Sequence, residues 1–123
     1  MRSYAFGAAV LVASSSLALA ADDVMAGYYG NTVISKGAMG ETHIHYKPDH
    51  SFNGSASSML GSMDLKGTWK IDDKGQLCRN YETAPPGVPN PLCTPAAAHK
   101  AGETWTMQIG SSTRTITLVQ GIQ

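Results

Sequence analysis

The chain has 123 residues, 42% of them apolar, with nine basic and nine acidic side chains and a formal net charge of zero. That length supports one domain, and the charge balance provides no field for steering onto nucleic acid or an anionic lipid surface. Arg2 is the only charge in the first twenty residues, so the remainder carries eight cations against nine acids.

The first twenty residues read as an export signal. Met1 to Tyr4 form a short n-region with one positive charge, Phe6 to Leu19 an apolar stretch, and Ala18-Leu19-Ala20 a small-x-small site with cleavage expected before Ala21. The apolar stretch is shorter than the roughly 20 residues a membrane-spanning helix needs, it contains Ser14-Ser15-Ser16, and Asp22-Asp23 follows it. No later segment reaches spanning length. The expected product is a single domain of residues 21–123, periplasmic or secreted and without a membrane span. In that compartment cytosolic ATP and NAD(P)H are not at hand and cysteines oxidise.

Beyond the signal the chain reads as strands and turns, with no convincing helical period. Asp22 to Gly30 has room for one short helical turn. Asn31–Ser35 is the first expected strand, followed by a two-glycine loop. Glu41–Lys47 alternates strongly, with Thr42, Ile44 and Tyr46 on one face and Glu41, His43, His45 and Lys47 on the other. The alternation favours Ile44 and Tyr46 inward. Pro48 to Ser51 is a turn, Phe52–Met59 a weak strand of small residues, and Leu60–Asp64 a second turn. Leu65–Ile71 and Gln76–Glu82 form the clearest hairpin around the loop Asp72–Gly75. Thr83 to Pro91 contains four prolines and is expected as a surface loop. Leu92–Pro95 resumes briefly, and Ala96–Gly102 is either a helical turn or an irregular connection. Glu103–Ile109 and Arg114–Gln120 close the chain as strands. Seven or eight short strands in so small a domain point to an all-β antiparallel meander rolled into a barrel, which removes exposed edges. A sandwich is the alternative.

Cys78 and Cys93 are the only cysteines. In an exported chain they are expected to pair, and their spacing fits neither a Cys-x-x-Cys motif nor a zinc knuckle.

Gly30-Asn31-Thr32-Val33, Tyr46-Lys47-Pro48-Asp49 followed by Phe52 and Gly54, Gly67-Thr68-Trp69, Gln76-Leu77-Cys78 and the later Cys93 occur in a familiar order. Over about residues 28–110 the chain resembles small exported alphaproteobacterial proteins of unknown function, which resemble miniature lipocalin-like barrels. The resemblance implies fold rather than activity, because its motifs are turn glycines, core aromatics and cysteines. In that pattern the turn after Pro-Asp usually carries Gly. Here it carries His50, so either the turn differs or the imidazole has a task.

Three functions suit these residues. The leading one is non-catalytic: binding of a small molecule, with Tyr46, Trp69, Arg79, Tyr81 and Trp105 as ligand contacts, or another accessory role in the cell envelope. The second is an enzyme, either metal-dependent or a cofactor-free lyase, isomerase or hydrolase. In it His43 or His45 transfers the proton, Glu41 or Asp49 orients the ring, and Tyr46, Tyr81 or Arg79 stabilises an oxyanion. The third is a metal carrier with Glu41, His43, His45 and His50 as ligands. Imidazole suits zinc or copper, and Met25, Met39, Met59, Met63 and Met107 add thioethers for copper. The competing reading of Glu41-x-His43-x-His45 is the solvent face of a strand, and that of the aromatics and methionines is simply core.

Overall fold

The computed structural model describes residues 24–123. The export signal and the cleavage site before Ala21 lie outside the described residues. One short 3-10 turn, Ala26–Tyr28, precedes eight strands: β1 Thr32–Gly37, β2 Gly40–Tyr46, β3 Ser51–Ser58, β4 Gly61–Ile71, β5 Gln76–Tyr81, β6 Leu92–Pro95, β7 Thr104–Ile109 and β8 Ser112–Val119. All pairings are antiparallel, in the order β6-β5-β4-β3-β2-β1-β8-β7. The result is a nearly closed barrel in which β8 returns to pair with β1, and the one break in the sheet falls between β6 and β7.

Period-two alternation decides which residues fill it. Val33 lies opposite both Ile44 and Leu118, Phe52 opposite Tyr46 and Gly67, and Trp105 opposite Ile116. These inward positions supply the buried core, together with Leu65, Trp69, Leu77 and Tyr81. The expected strand of small residues, β3, is a central one. A Cβ at Gly54 would overlap the His43 carbonyl, and one at Gly67 would overlap the Asn80 carbonyl and the Phe52 ring. The small residues therefore let neighbouring backbones and bulky side chains approach closely where the sheet curls. The turn expected at Leu60–Asp64 is tighter than its composition implies. Gly61 at φ +120° allows β4 to begin at once, so the strand runs four residues longer at its start.

One end of the barrel is plugged. Met25 and Tyr28 of the 3-10 turn are buried against the core. Trp69 donates its indole N–H to the Lys47 carbonyl at 3.0 Å, which ties β4 to the β2–β3 turn. His50 occupies the left-handed region of that turn at φ +69°. Its ring stacks on Trp69 with centroids 4.1 Å apart and planes at 13°.

The break has a chemical cause. β6 is four residues long, ends at Pro95 and follows Pro91, and proline can neither donate to a ladder nor extend one. An irregular strap, residues 96–103, crosses from β6 to β7. The Tyr28 hydroxyl donates to the Ala97 carbonyl at 2.7 Å, and the His99 ring stacks on Trp105 at 3.4 Å and 4°. The Cys78–Cys93 disulfide joins β5 to β6 from outside, with Cα atoms 4.0 Å apart in direct register. It anchors the short edge strand that prolines prevent from growing.

Candidate site in the barrel interior

Arg79 lies on β5 between Leu77 and Tyr81, and the alternation that buries those two buries the guanidinium as well, leaving it 8% exposed. Its Nη1 donates to the Tyr46 hydroxyl at 2.9 Å and its Nη2 to the Thr94 hydroxyl at 3.2 Å. Tyr81 lies two positions along β5 on the same inward side. Nε has no partner among the described residues, and none of the described carboxylates forms an ion pair with this arginine. A guanidinium has five N–H donors; here two of them meet hydroxyl oxygens. Burial acts to lower its pKa, and the surrounding tyrosines outweigh that, so it is held above the usual arginine value and stays charged. Burial raises the Tyr28 and Tyr81 phenols, so both stay neutral.

Aromatic rings surround this polar group. Tyr46 meets Tyr28 edge-on at 6.0 Å and Trp69 at 6.4 Å, and Tyr81 meets Phe52 edge-on at 5.3 Å. Of the five expected ligand contacts, Tyr46 bonds Arg79, Tyr81 shares the inward side of β5 with Arg79, and Trp69 packs against Tyr46. Trp105 lies on the edge strand β7 under the strap, half-buried. Thr94 was not among the expected contacts. The signal was present: a Cys78–Cys93 cross-link fixes the β5–β6 register and turns Thr94 to the same side as Arg79.

The histidines lie elsewhere. His43 and Glu41 project from the outer face and hydrogen-bond each other. That bond, with help from Lys36, holds the Glu41 carboxyl below its ordinary pKa. His45 contacts Asn53 Oδ1 and the Gln123 carbonyl, each at 3.2 Å. Asp49 accepts from the Ser51 amide and hydroxyl within the turn, which lowers its pKa. His50 is the stacking partner of Trp69. Glu41, His43, His45 and His50 are thus not gathered into one ligand set. Among the described residues the group with metal-type geometry is Asp72, Cys78 and Cys93, and both of its sulfurs are in the disulfide. Of the methionines, Met25 is buried, Met63 and Met107 pack on the core, and Met39 and Met59 are exposed on the β1–β2 and β3–β4 tips.

A cleft of about 340 Å³ lies between those two tips, lined by Lys36, Glu41, Ser57 and Ser58, and one of about 310 Å³ lies on the outer face of β1 and β8. Neither is lined by Arg79. Comparison with known protein families, curated proteins and solved structures finds no match to this chain.

Proposed function

We propose that this chain is an exported, non-catalytic small-molecule-binding protein whose ligand is held inside the barrel at Arg79, Tyr46, Tyr81 and Thr94. One observation carries the reading: a buried guanidinium with an unpartnered Nε stands in a largely apolar interior. Ligand sites are mostly apolar surfaces with a few placed polar groups, and a buried donor without an acceptor costs about 1–3 kcal/mol unless something satisfies it. A ligand supplying that acceptor accounts for its retention. The compartment follows from the export signal, and the disulfide suits it.

The test is native mass spectrometry of the protein isolated from the periplasm or medium of its expression host, beside the denatured mass. A stoichiometric adduct lost in Arg79→Met and Tyr81→Phe, and kept in His43→Ala/His45→Ala, supports interior binding. An adduct that follows the histidines instead overturns it and restores the outer-face readings.

A further inference from the structure

Resting on that reading, we infer that the ligand is a carboxylate with an apolar body, its head on the free edge of Arg79 and its body in the seam between β6 and β7. The sign of the charge comes from a parity argument. Along the eight strands, the inward register positions carry two charged side chains, Arg79 on β5 and Arg114 on β8. Both are cations. Every acid on a strand falls on an outward position or at a strand end; Glu41 faces out beside His43, and Asp64 alternates out between Met63 and Leu65. Arg114 is satisfied locally, with Nε on the Ser35 hydroxyl and Nη2 on the Ser35 carbonyl at 2.9 Å. Arg79 is not, since its buried Nε has no acceptor among the described residues. The interior therefore carries uncompensated positive charge. Tyr28 and Tyr81 do not neutralise it, because burial keeps both phenols protonated.

The shape of the head group follows from which atoms are free. Nη1 and Nη2 each spend one proton on Tyr46 and Thr94, and Nε spends none. A guanidinium edge of Nε–H and an adjacent Nη–H presents two parallel donors, which is the fork that a carboxylate accepts bidentately.

The route follows from the break in the sheet. Thr94, the Nη2 partner, is on β6, the strand that borders the seam, and Leu92 is directly opposite Arg79 in register. Leu92, Trp105 and Met107, on the two strands that do not pair, are half-buried apolar side chains packed against the core. The strap over them is tied by backbone bonds at its ends, Ala96 N–H to the Gly75 carbonyl at 3.2 Å and Gly102 N–H to the Leu118 carbonyl at 2.7 Å, and between those ends by Tyr28 to Ala97 and His99 on Trp105. An apolar chain lying in the seam would replace the solvent that now contacts these residues.

The experiment compares octanoate with 1-octanol on the oxidised protein lacking residues 1–20, by isothermal titration calorimetry. Octanoate is expected to bind at least tenfold more tightly, Arg79→Met to abolish that preference, and Arg79→Lys, which keeps the charge without the fork, to reduce it about tenfold. In Trp69→Phe, which leaves Trp105 as the single tryptophan, octanoate should shift the emission. Equal binding of both probes overturns the carboxylate and leaves the interior site standing. Binding of neither overturns both. Octanoate binding with unchanged Trp105 emission overturns the seam. Arg79→Lys also serves if Arg79→Met does not fold.

Discussion

Replacing Arg79 by Met should destabilise the barrel less than replacing its partner Tyr46 by Phe, although the first change deletes more hydrogen bonds. Tyr46→Phe removes the acceptor of Nη1 at 2.9 Å. A bond to a charged donor contributes about 1.5–3 kcal/mol, and its loss leaves a second donor of a buried cation orphaned beside Nε. The expected cost is about 2–4 kcal/mol. Arg79→Met removes the same bond and the 3.2 Å bond to Thr94, about 3–6 kcal/mol together. It also removes the desolvation of an ion with no opposite charge, several kcal/mol in the other direction, and methionine adapts to the space left. The net change should lie within about 2 kcal/mol of zero. The double variant should be more stable than Tyr46→Phe alone, because both ends of the bond are then apolar. Urea unfolding of the oxidised protein at pH 7, followed by tryptophan emission and far-ultraviolet dichroism, measures all three. A loss above about 4 kcal/mol for Arg79→Met with a smaller loss for Tyr46→Phe would refute the reasoning. Arg79 would then be a net structural stabiliser, and its unpartnered Nε would not call for a ligand.

Three further outcomes are expected. Cys78→Ser/Cys93→Ser frees the short β6 edge and a loop of 15 residues, costing about 3 kcal/mol in the chain-entropy model. For a domain of this size that lowers the melting temperature by roughly 12–24 °C in calorimetry. Tyr28 and Tyr81 are held protonated by burial, so stability from them is complete below the unfolded phenol pKa near 10 and is lost as pH rises above it. In an alkaline titration at about 295 nm these two should ionise only with unfolding, and the unfolding should move to higher pH in Tyr81→Phe. His50→Gly exchanges the stack on Trp69 for relief of a left-handed backbone, so its cost should stay within about 1 kcal/mol. His50→Val keeps the strain and loses the stack, and should cost more than about 2 kcal/mol by the same urea assay.

Periodicity made the strands legible. Ile44 and Tyr46 alternating with His43 and His45 favour one inward face of β2 without deciding it, and in the fold the same parity puts Arg79, between Leu77 and Tyr81, inside. The histidine pair was the loudest chemical signal, yet parity sends it outward; a motif read by residue type alone carries no information about which face it occupies. The opening between β6 and β7 was not legible. Prolines mark Thr83–Pro91 as a loop, but that the barrel breaks on the far side of β6 depends on where β7 and β8 return, which only long-range pairing fixes. His50 was half-legible. A non-glycine residue at a turn position that favours positive φ signals a constraint, and its stacking on Trp69, nineteen positions on in the chain, is a contact no local pattern encodes.

The position of the break links stability to the proposed binding. In a meander barrel whose first and last strands pair, an opening elsewhere must come from a strand that is prevented from extending, and here prolines flank that strand. Such an edge would fray, and the disulfide sits in the direct register pair of β5 and β6 that holds it. The same cross-link fixes which face of β6 turns inward, and so delivers Thr94 to Arg79. An ordinary eighth pairing would have removed the seam; a β6 turned the other way would have left Arg79 with one hydroxyl fewer. The short strand and its staple together keep one guanidinium dry, partly bonded and next to the only discontinuity in the described sheet.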